Sequence, residues 1–288
     1  MASLKSRAVV AVLWLSRRQR RHRTAEAARA RVAYLARHPS SHKPSGLHLP
    51  YTLDDSSGWP VYRVDTGAQN EVIYIHGGSY LNQIVRQHWQ FIGHVARHAP
   101  ANVTVPIHPL APTGTAETTV PAMADLIADV IHRIAGPRRV TLIGDSSGGG
   151  LALAATQLLR DSGRALPHAL VLIAPWLDLT MSHPDQPRLT RLDPMLDLPG
   201  LAEAGRIYAA GLGPEHPFAS PLRGDLTGLP PITIYTGTRD VLHPDSLALA
   251  GHAEIHVGQG MPHVYPLLPM PEGASARAEI ARIIDRST

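Results

Sequence analysis

Residues 140–153, VTLIGDSSGGGLAL, decide how the rest of the chain is read. An apolar, β-branched run from Val140 to Ile143 stops at Gly144-Asp145-Ser146-Ser147-Gly148, and an Ala/Leu-rich helical pattern begins directly after it. The pattern therefore sits at a strand-to-helix corner, the context that a G-x-S-x-G nucleophile elbow requires. A serine at such a corner occupies a strained backbone position, and glycines two residues to either side keep side chains out of the turn. Ser146 is the candidate nucleophile. A glycine-rich turn that merely packs a helix on a sheet gives the same five letters, so partners elsewhere in the chain must decide.

On either side the alternation continues. Residues 61–64 form a short alternating stretch, and residues 71–75, EVIYI, form a mostly apolar strand that empties into His76-Gly77-Gly78-Ser79-Tyr80. Backbone N–H groups left unpaired by such a loop are the donors that an oxyanion hole needs, with His76 bracing the loop rather than acting as a base. Residues 87–98 and 123–135 read as helices, 102–107 as a strand and His108-Pro109-Leu110-Ala111-Pro112 as a breaker. Residues 151–160 continue the elbow as a helix, 169–174, 232–235 and 253–257 read as later strands, and 275–284 as a closing helix. Strands alternating with helices give βαβ units and an α/β fold, a mostly parallel central sheet with helices on both faces. Sites in such folds lie at the C-terminal ends of strands.

Two more loops fall at such ends. Asp240 follows the strand at 232–235, and His263 follows the strand at 253–257. A serine hydroxyl attacks a carbonyl at neutral pH only if a base takes its proton; His263 would be that base, with Asp240 fixing its tautomer and stabilising the imidazolium. The chain holds 17 histidines, so position after the last strand, not residue type, selects His263; His243, His252 and His256 are the reserves.

Composition excludes some chemistry and leaves other chemistry open. With 288 residues and 44% hydrophobic content the chain can bury a large core. The absence of cysteine removes disulfides, thiolate catalysis and Cys-ligated metals, and no His or carboxylate spacing suggests a metal site. Residues 1–38 hold ten Lys/Arg against the single acid Glu26, although the net charge of the whole chain is only +4. The basic character is thus local. Residues 8–15 are apolar and follow Lys5 and Arg7, as in a signal peptide, but RRQRRHR at residues 17–23 stands where a small-residue cleavage site belongs. The run is also shorter than the roughly 20 apolar residues of a membrane span. A cytoplasmic chain is expected, with residues 1–50 forming a basic helical lid or brace and linker. Residues 24–37 are the helix, Val32 and Leu35 face the main domain, and peripheral membrane contact is an addition. No nucleic-acid motif accompanies the charge.

At this point the chain resembles a known family, the hormone-sensitive-lipase-like α/β-hydrolases, which are bacterial esterases and acetyl-hydrolases. The resemblance runs from about Val72 to Arg282 and rests on motifs in order: HGGS at 76–79, HPLAP at 108–112, GDSSGG at 144–149, APWLDL at 174–179, SPL at 220–222, LPP at 229–231, G-x-x-D-x-L at 237–242 and GMPH at 260–263. It implies a catalytic domain at 51–288 with a helical lid inserted at about 180–217. It also implies hydrolysis of small-molecule carboxylic esters through an acyl-Ser146 intermediate, without a cofactor. The triad would be Ser146, Asp240 and His263, and the oxyanion donors the backbone of Gly77, Gly78 or Ser79 together with Ser147. The pocket is expected to be apolar, lined by Tyr80, Leu81, Trp176, Leu177, Met195 and Tyr208.

The chain departs from the family at four places. Ser79 replaces a glycine, His108 a tyrosine and Ser147 an alanine, and the segment between Asp240 and Ala253 is short. The last departure bears on the acid, for which Asp178 is the fallback. A non-catalytic binding protein on the same fold, an adaptor acting through the basic N-terminus, and an amidase using the same triad are the alternatives. Acyl chain length, alcohol and oligomeric state are not encoded in any motif.

Overall fold

A computed structural model describes residues 2–16, 23–56, 58–134 and 139–285. Most of the RRQRRHR run, residues 17–22, lies outside the described residues. Eight strands form one sheet: β1 (Thr52–Asp54), β2 (Val61–Val64), β3 (Asn70–Ile75), β4 (Ala101–Pro106), β5 (Val140–Asp145), β6 (Ala169–Ile173), β7 (Ile232–Arg239) and β8 (Ala253–Pro262). Their order is β1-β2-β4-β3-β5-β6-β7-β8; the β1–β2 and β2–β4 pairs are antiparallel and the other five parallel. β1 escapes the sequence reading because it is three largely exposed residues on the sheet edge.

The inner strands are continuous apolar runs because both their faces are covered. Successive side chains point to opposite faces, and two separate cores result. Ile73, Ile75, Leu142, Leu170, Leu172 and Ile234 pack on one side with α4 (Ala116–Arg133) and α5 (Ser147–Asp161). Val72, Tyr74, Ile143, Val171, Ile173 and Tyr235 pack on the other with α3 (Arg86–His98) and α9 (Pro271–Asp285).

Three elements run further than expected. α4 begins seven residues before residue 123, with Pro121 inside it; a proline early in a helix removes a single bond that tertiary packing can outweigh. β7 and β8 continue four and five residues past 235 and 257; Gly237 and Gly258, which look like loop residues, pair with each other, and Gly260 stands in the bulge before Arg239 pairs with Pro262, its N–H donating to Thr238 Oγ1. Between β6 and β7 lie α6 (Gln186–Thr190) and α7 (Leu198–Ala209), and between β7 and β8 only the five-residue α8 (His243–Leu247).

Two helices precede the sheet. α1 (Leu4–Leu15) packs Val10 and Leu13 inward, and its Ser3 cap is tied to Glu272 of α9. α2 (Ala25–Arg37), capped by the Thr24 side chain, lies on α7 through buried Ala28, partly buried Val32 and an Arg29–Glu203 ion pair of 3.0 Å.

Backbone lies tightly against backbone where α5 leaves β5. A Cβ built on Gly148 would meet the carbonyl of Ile75 and lie 2.7 Å from that of His76, both backbone groups that cannot swing aside. Gly148→Ala should therefore destabilise the protein by about 1–3 kcal/mol, read as a lower midpoint in urea unfolding. An unchanged midpoint would mean that the helix can back away from β3.

Candidate active site

Ser146 is the residue between β5 and α5, and its backbone has φ 52° and ψ −122°. That conformation is held by its own N–H, which donates to Ile173 O at 2.9 Å, and by its carbonyl, which accepts from Gly149, Gly150 and Trp176. The side chain Oγ lies 3.0 Å from His263 Nε2, and His263 Nδ1 lies 2.8 Å from Asp240 Oδ2. All three residues are buried. The short segment after Asp240 does not pull it away. Arg239 and Pro262 are register partners at the ends of β7 and β8, so the residues that follow them emerge side by side.

Asp240 itself is anchored through Oδ1, which accepts the N–H of Leu242 at 2.9 Å. Burial depresses His263, but Asp240, with smaller contributions from Asp193 and Asp145, outweighs it and the imidazole ends above its ordinary value. The reserve groups are engaged elsewhere. Asp178 accepts from Thr180 and pairs with Arg223 at 3.2 Å; His243 bonds Thr236; His256 faces Glu254 and Glu279; His252 is exposed.

Peptide geometry aims the backbone donors. In a trans peptide the N–H points opposite to the preceding carbonyl. The Gly77 carbonyl accepts from His76 Nδ1 at 2.8 Å, the Gly78 carbonyl accepts from Leu81 and Asn82, and the Ser146 carbonyl is held as above. The N–H groups of Gly78, Ser79 and Ser147 consequently point away from those anchors, and none finds an acceptor among the described residues. Gly77 differs from the other three expected donors. Its N–H is taken by Asp145 Oδ1 at 3.0 Å and is not available.

Asp145 is the residue that sequence reasoning passed over. Its buried carboxylate also accepts from Tyr74 Oη at 2.6 Å and from His88 Nε2 at 3.3 Å, while His88 Nδ1 takes the Val85 N–H. It thus ties the nucleophile strand to the glycine loop. Its place inside GDSSGG was visible, but nothing in the spacing pointed to Tyr74, Gly77 or His88. Buried His76, stacked on His108 with ring centres 4.5 Å apart, is held neutral by burial and by the neighbouring histidines. It orients the loop. Ser147 adds a bond that alanine could not, its Oγ accepting the Tyr80 N–H at 3.3 Å. Two further carboxyls are buried nearby: Asp193, and Asp245, whose Oδ2 accepts from Leu177 and Asp178 N–H and which burial pushes up to about 8.

A cavity of about 270 Å³ opens at Ser146 and His263, lined by Gly78, Ser79 and Val85 on one side and by Met195, Leu196 and Leu267 on the other. Of the six expected lining residues only Met195 is among them; Leu81 and Leu177 are buried in the core, and so are the three large rings. Tyr80 and Tyr208 stack on each other with ring centres 3.5 Å apart, Trp176 lies 5.8 Å from Tyr80, and Tyr208 Oη bonds Thr119. The strand and helix directions turn these large rings into the core beneath the site, where they bury more area than a pocket wall would allow.

A family model described as alpha/beta hydrolase fold matches residues 72–267. Over 182 residues the chain is 40% identical to an acetyl-hydrolase of Streptomyces hygroscopicus, the match covering 62% of this chain and 60% of the relative. Over 199 residues it is 36% identical to a triacylglycerol lipase of Mycobacterium tuberculosis, covering 69% of this chain and 40% of the relative. The matches thus span less than two thirds of either relative's length. An esterase crystal structure from the bacterial hormone-sensitive lipase family superposes with a TM-score of 0.79 at 29% identity, covering 100% of this chain and 99% of that one.

Asp145→Asn should lower stability at neutral pH by about 1–3 kcal/mol, because an amide N–H₂ then faces donors. Although burial raises the Asp145 pKa, His88, Tyr74 and Gly77 bring it below its ordinary value of 3.8. Its contribution is therefore complete above that value and fades as pH falls below it. Urea unfolding at about pH 7 and about pH 3 should show the variant's deficit shrink in acid; an equal deficit at both would refute the charge-based account.

Proposed function

The chain belongs to the alpha/beta-hydrolase-fold family, and on that footing we propose that it is a serine carboxylic-ester hydrolase acting on short- to medium-chain acyl esters. The observation that carries the proposal is the unbroken hydrogen-bond path from Ser146 Oγ through His263 to Asp240, beside a cavity with unclaimed backbone N–H groups. Ser146 attacks the ester carbonyl while His263 takes its proton. The N–H groups of Gly78, Ser79 and Ser147 receive the oxyanion, and Gly77 is left out because Asp145 holds it. His263 then protonates the departing alcohol, and in the second half-reaction it activates the water that frees the acid. Asp240 keeps the imidazole proton on Nδ1. A cavity below the usual range of about 300–1,000 Å³ supports short acyl groups over long ones. Residues 51–288 are then the catalytic domain, with residues 180–217 and the N-terminal helices α1 and α2 roofing it.

Turnover of p-nitrophenyl esters from acetyl to palmitoyl tests this reading. Ser146→Ala should lose about 10⁴-fold or more in kcat, and Asp240→Asn about as much through the wrong tautomer. Hydrolysis needs neutral His263, so kcat/KM should rise with pH through an apparent pKa above the ordinary imidazole value. A folded wild type that turns over no ester would leave a binding protein on the same fold.

We further propose peripheral contact with an anionic membrane surface. Leu4, Ala8, Ala11, Val12 and Leu15 recur at the helical spacing and form one exposed apolar stripe on α1, opposite buried Ser6, Val10 and Leu13. Lys5 and Arg7 are exposed on its two flanks. Among the described residues no helix is long and apolar enough to cross a membrane, so the helix would lie in the interface. Vesicles containing anionic lipid should sediment the wild type. The combined Leu4→Gln, Val12→Gln and Leu15→Gln variant should bind about ten-fold less tightly or weaker, with turnover of a soluble ester unchanged. Equal sedimentation of both would remove the proposal.

A further inference from the structure

We propose that Asp193, on the connection between α6 and α7, is a positioning residue that locks the cavity wall to the backbone of the triad acid. The inference rests on the acyl-transfer reading, in which Asp240 orients His263. Asp193 is fully buried, and both its oxygens are engaged. Oδ1 accepts the N–H of Met195 at 2.7 Å and of Leu196 at 3.0 Å, the two residues of this connection that line the cavity. Oδ2 accepts the N–H of Val241 at 3.0 Å, the residue directly after Asp240. One side chain thereby joins segments 48 positions apart. Because the Asp240 carboxylate is itself held by the Leu242 N–H, its aim at His263 depends on how the 241–242 backbone is set. Asp193 sets that backbone from the side of the cavity.

A second carboxyl beside Asp240 is an expensive tie if a tie is all it is, since a serine or asparagine could accept the Met195 and Leu196 N–H groups without burying charge. What the carboxyl adds is a field at the site. Burial and then Asp240 push Asp193 upward, while His263 and the bound N–H groups draw it down. Asp193 in turn joins Asp240 and Asp145 in raising His263 against its burial. From α8, Asp245 adds its own like-charge repulsion to Asp240, and His243 sits within the field of Asp240.

Full-length wild type, Asp193→Asn and Asp193→Glu, compared by kcat, KM and kcat/KM across pH with a soluble p-nitrophenyl ester, test the assignment. Asparagine keeps one acceptor for Met195 and Leu196 but turns an N–H₂ toward Val241 and carries no charge. We expect kcat to fall about ten-fold with KM changed less than about three-fold. The acid limb of kcat/KM should move to lower pH by about half a unit or more, and Asp193→Glu should hold it nearer the wild-type position. An asparagine variant that folds, by circular dichroism, with an unmoved limb and unchanged kcat would overturn the proposal, as would a loss confined to KM. If the asparagine variant does not fold, Asp193→Glu decides, because it keeps the charge but displaces the oxygens that hold Met195, Leu196 and Val241: a lowered kcat with KM nearly unchanged supports the proposal, and an unchanged kcat overturns it. An active wild type beside an indifferent variant sinks this proposal alone. An inactive wild type sinks the acyl-transfer reading and takes the proposal with it.

Discussion

The left-handed backbone of Ser146 is the constraint on which the rest of the molecule depends. A non-glycine residue in such a conformation costs on the order of 1–3 kcal/mol, and it persists only where its surroundings leave no alternative. Here β5 lies in the middle of the sheet, α5 is buried along nearly its whole length, and both polar groups of the Ser146 peptide are spoken for. Glycines at 144, 148, 149 and 150 let backbone lie against backbone at distances no side chain would tolerate. The two cores and the crossing helices can be seen as the clamp that keeps one residue out of its preferred conformation.

Much of this was legible in the letters, and the parts that were not share a cause. Strand β5 and the elbow could be read because a β-branched run, a glycine cluster and an Ala/Leu pattern follow one another without a gap. The full lengths of β7 and β8 could not, because Gly237, Gly258 and Gly260 weaken a strand locally while the neighbouring strand still supplies its hydrogen bonds. Pro121 concealed the first turns of α4 in the same way. Tyr80 and Tyr208 were expected at the pocket because they are aromatic and near the motifs, yet residue type does not reveal which way a ring turns. Asp145 and Asp193 are single acids whose partners lie far along the chain, so no spacing rule could find them.

Three carboxylates at one site illustrate how surroundings divide labour among identical groups. Asp145 is surrounded by donors and falls below its ordinary pKa; Asp240 faces an imidazole and a single N–H; Asp193, fully buried and then crowded by Asp240, rises. The first fixes a loop, the second faces the imidazole, and the third links a wall to a backbone. None of these differences belongs to the residue type.

The way Asp240 and His263 come to lie together has a consequence for the newly made chain. Ser146 and His263 are 117 positions apart, and the acid and base follow the last two strands to be synthesised. Contacts of such long range form late, after the loop entropy between them has been overcome. A chain that has made β5, its elbow and α5 still lacks the strands that carry Asp240 and His263. The hydrogen-bond path from Ser146 to Asp240 is thus assembled in one step, when β8 docks on β7.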